Sequence, residues 1–178
     1  MPILIPSLIQ AINNTINDNA DEVAELDRAI GDGDHVINLQ RGLKALQALE
    51  PELSELDWSP ALMKIGMTLM STMGGASGSL FGTLFLSMAK AAKSQAMTPA
   101  SFADIFQQGV AAVKQRGKAD IGEKTMLDTL IPVANRYQED IDNGIDYEQI
   151  MASTKDMIAT KGRASFLGER AVGHIDAG

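Results

Sequence analysis

Apolar residues recur along most of this chain at spacings of three and four, the period of one face of an α-helix. Leu8, Ile12 and Ile16 mark a first helix. Val23, Leu26 and Ile30 mark a second, starting at Asn19 with Glu22 three residues on in capping-box position. Leu39, Leu43 and Leu46 predict a third, with Pro51 after its end. Ser59-Pro60 reads as an N-cap and first-turn proline ahead of Leu62, Ile65, Leu69 and Met73. Beyond a glycine cluster, Leu80, Leu84, Phe85 and Met88 repeat the pattern. Thr98-Pro99 opens the next helix, with Phe102, Ile105, Phe106, Val110 and Val113 inward and Lys114, Arg116 and Lys118 towards its negative pole. Met126, Leu130, Val133 and Tyr137 predict another, Asp142-Asn143-Gly144 a turn, and Ile150, Met157 and Ile158 a further helix ended by Gly162.

No segment sustains the period-two alternation of a strand, so no sheet is expected. Short connections favour antiparallel neighbours. The expectation is an all-α, up-and-down helical bundle, a single domain over residues 1–178. The ten methionines read as flexible core filler. From Ile65 to Ala89 there are 25 uncharged residues, long enough for a bilayer, but 12 of them are Gly, Ser or Thr and Gly74-Gly75 interrupts the middle. The run reads as helix, glycine loop, helix, and no membrane span is expected.

Composition narrows the function. The 178 residues carry a formal net charge of −8, which argues against nucleic acid as a partner. There is no cysteine and there are two histidines, excluding disulfide scaffolds, thiolate chemistry and His-rich metal centres. No Lys or Arg precedes Arg28, so no basic signal region is read, and a cytoplasmic protein is expected.

Polar and glycine residues collect at helix ends. Asp27, Asp32 and Asp34 fall within eight residues, around Gly31 and Gly33, and such carboxylates repel unless a cation or hydrogen bonds compensate. Folded together they form an oxygen cage for a hard cation such as Mg²⁺; read singly, the turn is equally a solvated cap of the next helix. An EF-hand does not fit, because the twelfth position from Asp32 is Leu43 rather than Glu. Gly74-Gly75-Ala76-Ser77-Gly78-Ser79 lets backbone amides approach an anion at a helix N-terminus, or simply makes a tight connection. No Lys-Ser or Lys-Thr follows, so it is not a Walker A loop. Two further polar segments are Gly117 to Met126 and Lys161 to Arg170, the latter continuing to Gly178. In an up-and-down bundle alternate loops share an end, so these segments could converge on a metal-nucleotide or phosphate site.

These motifs resemble the ADP-binding L subunits of the phosphoenolpyruvate-dependent dihydroxyacetone kinases. They are Leu26-Asp27 with Gly31-Asp32-Gly33-Asp34-His35 and Asn38, Gly74 to Gly78, Arg116-Gly117-Lys118 with Lys124-Thr125-Met126, and Lys161 to Ser165 with Gly173 to Asp176. Their order and spacing carry the resemblance over essentially the whole chain. It implies an antiparallel barrel of eight helices with the nucleotide at one end. Asp27, Asp32 and Asp34 match the aspartates that hold two Mg²⁺ ions on the ADP phosphates. His35, Val36, Ile37, Asn38, Ala76, Ser77, Gly117, Met126, Arg163, Asp176, Ala177 and Gly178 match nucleotide-contacting positions. Ser77 would cradle phosphate and Met126 would pack on the adenine, while Arg163, the catalytic candidate, would stabilise phosphate charge.

The family's ADP is a retained cofactor, cycling to ATP. It takes a phosphoryl group from a phosphohistidine of an M subunit, fed by the phosphotransferase chain, and passes it to dihydroxyacetone on a K subunit. No base is asked of this chain, and His174 reads as a structural loop residue. Val36 stands where the family usually has Gly, and Ser79 and Ala177 where proline is common. The family normally continues past Asp176-Ala177-Gly178 into a last barrel helix, which is therefore expected to be missing here. The alternatives are an ATP-using kinase domain of the same superfamily, the fatty-acid kinase nucleotide domain, and a non-catalytic helical adaptor.

Overall fold

The apolar stripe of the N-terminal segment is wide enough for two faces, and helix α1 (Leu4–Asp18) buries one of them. In the computed structural model, which describes residues 4–93, 95–139 and 144–178, Ile5 and Ile9 turn inward while Leu8 and Ile12, expected inside, are 52% and 48% exposed. Helices α2 (Ala20–Ile30), α3 (His35–Gln47) and the single turn α4 (Glu50–Leu53) follow, then α5 (Trp58–Thr72) and α6 (Gly75–Ala92). The chain continues through α7 (Pro99–Gly117), α8 (Leu127–Glu139), the short α9 (Tyr147–Ala152) and a 3-10 helix, Arg163–Ala171, that kinks at Gly168. The fold is all-α, with no strand among the described residues. Among the described residues there are nine α-helices, two of which, α4 and α9, are only one or two turns long.

Consecutive long helices pack on one another: α1 on α3, α3 on α5, α5 on α6, α6 on α7 and α7 on α8. The uncharged run breaks between Thr72 and Gly75, as its glycines predict, and α5 folds back on α6. Glycine is required at that crossing, where a Cβ on Gly66 would meet the Gly82 carbonyl at 3.0 Å and a Cβ on Gly82 the Gly66 carbonyl at 3.0 Å. No helix of the described residues is long and apolar enough to cross a membrane.

Two larger apolar clusters and a small third one, Ile30 with Ala159, Ala164 and Ala171, fill the interior of the described residues. One of the larger two joins Leu84, Met88, Ile105, Val110, Val113 and Leu127 across α6, α7 and α8. The other joins Ile5, Ile9, Leu46, Leu53, Ile65 and Leu69, and Phe81 and Phe85 touch both. Tyr137 meets Phe102 and Phe106 edge-on, at ring separations of 5.9 and 6.1 Å, and so docks α8 on α7.

Local signals succeed and fail for identifiable reasons. Thr98 caps α7, accepting from the Ser101 amide at 3.1 Å with the reciprocal bond in place. Asn19 does not cap α2; its side-chain amide donates back to the Thr15 carbonyl at 2.8 Å. Asp57, not Ser59, precedes α5, and the Ser59 hydroxyl instead donates across to the Ala89 carbonyl on α6 at 2.9 Å. The helix expected to run to Gly162 stops at Ala152, and Ile158 is 55% exposed. Met63, Met67 and Met70 face outward on α5, so only part of the methionine set fills the core. Asp142 and Asn143 of the predicted turn lie outside the described residues.

Candidate functional site

The end of α2 and the start of α3 bring the acidic turn together. One carboxylate oxygen from each of Asp27, Asp32 and Asp34 lies within 4.8 Å of the others. Asp27, in the last turn of α2, accepts the His35 amide on Oδ2 at 3.0 Å, which ties it to the first turn of α3. Gly31 makes room for it, since a Cβ there would fall on Asp27 Oδ1. Arg163 reaches in from the 3-10 helix and pairs Nη2 with Asp32 Oδ2 at 2.7 Å. Burial holds the His35 imidazole below its ordinary value, against the opposing pull of Asp27, Asp34 and Asp32.

These carboxylates open onto a cavity of about 620 Å³, the size of a small-molecule pocket. The glycine loop forms one wall. Its Gly74 amide donates to Asn38 Oδ1 at 3.3 Å, and Ser77 Oγ donates to the Gly74 carbonyl at 3.1 Å. Arg116 enters from the end of α7, donating Nε to Ser79 Oγ at 3.1 Å. Leu80, Val113, Ala119, Met126 and Leu127 make an apolar wall. Carboxylates and hydrogen-bonding groups on one cavity with an apolar wall suit a ligand with an anionic, metal-bound head and a flat apolar body.

Of the residues singled out in the sequence, Asp27, Asp32, Asp34, His35, Asn38, Ala76, Ser77, Gly117, Met126, Arg163, Asp176, Ala177 and Gly178 all line this cavity. Val36 and Ile37 do not: Val36 is buried in the protein and Ile37 is 54% exposed. The Asp176 carboxyl, pushed up to about 6 by burial, accepts the Gly178 amide at 3.0 Å.

Two residues that hold the site together carried no role in the sequence reading. Asp128, 2% exposed, accepts the Gly122 amide on Oδ1 at 2.5 Å and the Thr125 amide on Oδ2 at 2.8 Å, folding the loop before α8. Lys124 is 1% exposed and has a left-handed backbone, φ 60°. The signal available for both was charge beside an apolar stripe, since Lys124 and Asp128 flank Met126 and Leu127. Glu123 braces the same loop from outside. It accepts the Thr160 hydroxyl at 2.6 Å and the Asp120 amide at 2.6 Å, and these bonds hold its carboxyl below the usual range.

Residues 29–178 match the DAK2 domain family. The chain belongs to that family. Among the relatives of this DAK2 domain is the ADP-binding subunit DhaL of PEP-dependent dihydroxyacetone kinase 1 from Listeria innocua. It is 43% identical over 164 residues, covering 92% of this chain and 82% of the relative. The corresponding Escherichia coli DhaL subunit is 39% identical over 165 residues, covering 86% and 79%. The same fold is seen in the crystal structure of the C. freundii dihydroxyacetone kinase in complex with AMP-PNP and Mg²⁺, with a TM-score of 0.78 at 22% identity. That alignment covers 98% of the DAK2 domain described here and 31% of the kinase chain.

The donor set fits a hard divalent cation: three carboxylates from one turn, with sides open to further oxygen ligands. The cavity fits a nucleotide equally well in size and polarity.

Proposed function

We propose that this chain is the ADP-binding subunit of a phosphoenolpyruvate-dependent dihydroxyacetone kinase, acting in the cytoplasm as one nucleotide-binding domain. The observation that carries the proposal is the carboxylate triad on a cavity that also has an apolar wall. Identities near 40% to DhaL subunits over most of the chain support it.

Bound ADP supplies the chemistry: it is the carrier that accepts a phosphoryl group from an M-subunit phosphohistidine and, as ATP, delivers it to dihydroxyacetone on a K subunit. The work of this chain is holding and charge compensation. Asp27, Asp32 and Asp34 hold Mg²⁺, two ions by the family pattern, and so offset the repulsion between phosphates and an acidic protein. His35 and Asn38, at the start of α3, and Ala76 and Ser77, at the start of α6, line the same cavity. Met126, with Leu80 and Val113, offers the apolar wall for the adenine. Arg163, on a glycine-flanked segment with its side chain 70% exposed, can leave Asp32 for a phosphate oxygen. Removing water and fixing charge account for most catalysis of this kind, so no proton-transfer group is required here.

The test is to purify the protein without added nucleotide, denature it and chromatograph what is released. Near-stoichiometric ADP with Mg²⁺ is expected. Activity with K and M partners should depend on phosphoenolpyruvate. Free exchange of the bound nucleotide with added ATP, and turnover on ATP alone, would replace the relay with the ATP-using alternative. Protein that neither retains nor binds ADP would refute both.

A further inference from the structure

Lys124 is a fully buried cation that makes no ion pair with a carboxylate among the described residues. Its ammonium is surrounded instead by backbone carbonyls: Thr154 at 2.8 Å, Lys155 at 3.3 Å, Met157 at 3.4 Å and His174 at 2.5 Å. Four oxygens compete for three N–H donors, so the charge itself, and not a set of paired hydrogen bonds, holds them together. Burying an ammonium costs free energy, and here burial pushes Lys124 below its ordinary value, with Asp176 and Asp156 opposing from a distance. A further cost is the left-handed backbone, φ 60° at a non-glycine residue. A lysine held at two such costs has to be doing something for its surroundings.

The carbonyls come from two separate segments of the chain. Thr154, Lys155 and Met157 follow α9, and His174 begins the C-terminal tail. Two more bonds strap the same pair of segments: the Gly173 amide donates to the Lys155 carbonyl at 2.8 Å, and the Asp176 amide to Thr154 Oγ1 at 3.0 Å. Thr154 itself is 3% exposed, the buried point of a junction whose Lys155, Gly173 and His174 are exposed. Lys124 and the Thr125 and Met126 that follow it line the cavity, as do Asp176, Ala177 and Gly178.

We infer that Lys124 is the positioning residue of the nucleotide site, the tie that holds the C-terminal tail against the pocket and sets Asp176 to Gly178 at its edge. The inference rests on the nucleotide reading above for its ligand, and on the carbonyl cage alone for its mechanism. The three carboxylates of the acidic turn all come from the end of α2 and the segment leading into α3, joined by the Asp27–His35 bond. Among the described residues only Arg163 and the packing of Ile30 on Ala164 and Ala171 reach that turn from downstream. Loss of the tie therefore separates two properties: nucleotide affinity falls, and cation binding at the triad does not.

The experiment compares the full chain with K124M, which keeps the side-chain length and removes the charge. ADP is titrated in the presence of Mg²⁺, Mn²⁺ is titrated without nucleotide, and hydrogen exchange is followed at the amides of Gly173 and Asp176 in nucleotide-free protein. K124M is expected to bind ADP about ten- to a hundredfold more weakly, the worth of one charge-assisted contact. Its tail amides exchange faster, and Mn²⁺ binding stays within twofold of the parent. Unchanged ADP affinity with a protected tail overturns the inference, as does an equal loss of Mn²⁺ and ADP. If K124M does not fold, T154V in the full chain tests the same junction. It retains Lys124 and its four carbonyls but removes the acceptor of the Asp176 amide, and ADP binding as tight as the parent's with faster exchange at Asp176 overturns the role of the tail. An unaltered chain that binds no ADP, yet shows tail protection that K124M loses, fails the functional reading and leaves the tie intact.

Discussion

Replacing Gly31 by alanine isolates what the acidic turn needs from its backbone. Gly31 has φ −130°, outside the left-handed region, and the demand visible there is for space. A Cβ would stand 2.8 Å from the Asp27 carbonyl oxygen and 3.0 Å from Asp27 Cγ, and would land on Oδ1. The Asp27 side chain then has to rotate, releasing the His35 amide it accepts at 3.0 Å and leaving the triad with two carboxylates. Losing one of the three carboxylates removes one charge-assisted contact to the cation, worth about 1.5–3 kcal/mol, or roughly a ten- to hundredfold loss in affinity. Mn²⁺ titration, read by the resonance of the free ion, measures it directly. A thermodynamic cycle with D27A locates the cause. If G31A acts only by expelling Asp27, the double variant binds Mn²⁺ as D27A does, and the coupling equals the whole G31A effect. An additive double variant would place the damage in the backbone, and unchanged Mn²⁺ binding by G31A would refute the packing argument outright.

Asp176 makes stability fall with pH. Its carboxyl titrates near 6 when folded, against 3.8 as its ordinary value, so the folded state holds the proton more tightly. Stability is then lost as pH climbs between those values, by up to about 3 kcal/mol at 1.36 per unit, and the loss is complete above the folded value. Urea unfolding of D176N should match the parent near pH 4 and exceed it at pH 7; a variant less stable at pH 7 contradicts this. D128A leaves the Gly122 and Thr125 amides without their acceptor, at a cost of about 1–3 kcal/mol each where they stay dry, and a loss under about 1 kcal/mol would show that water replaces the carboxylate. R163A should shift unfolding by less than about 1 kcal/mol, because its partner is reached from a 70% exposed side chain. If Arg163 stabilises charge on the transferred phosphoryl, phosphoenolpyruvate-dependent turnover of R163A falls about a thousandfold or more, whereas a tenfold change would assign Arg163 to binding alone.

Legibility followed burial. Leu62, Ile65, Leu69 and Met73 all turn inward, and the helices α5 to α8 were readable because their apolar residues at three- and four-residue spacing meet neighbouring helices. On α1 the apolar residues flank a wider arc, and the choice between Ile5 with Ile9 and Leu8 with Ile12 was made by where Leu46 and Leu53 stand. Downstream of α9 the periodicity of Ile150, Met157 and Ile158 misleads, because the carbonyls that would continue the helix turn towards a lysine about 30 residues upstream. Most candidate site residues were legible as polar and glycine residues at helix ends. Lys124 and Asp128 were not given roles, because their partners are backbone groups, which have no residue type for a sequence to display.

By itself the sequence determined the all-α class, the break at Gly74-Gly75, the carboxylate trio and the family, since each depends on neighbours a few positions apart or on motif order. Tertiary structure alone decided which half of α1 is buried, that Val36 and Ile37 stay off the cavity wall, and that a buried ammonium ties the tail to the pocket. Those outcomes turn on which groups compete for the same space and the same carbonyls, and that competition exists only once distant segments are in contact.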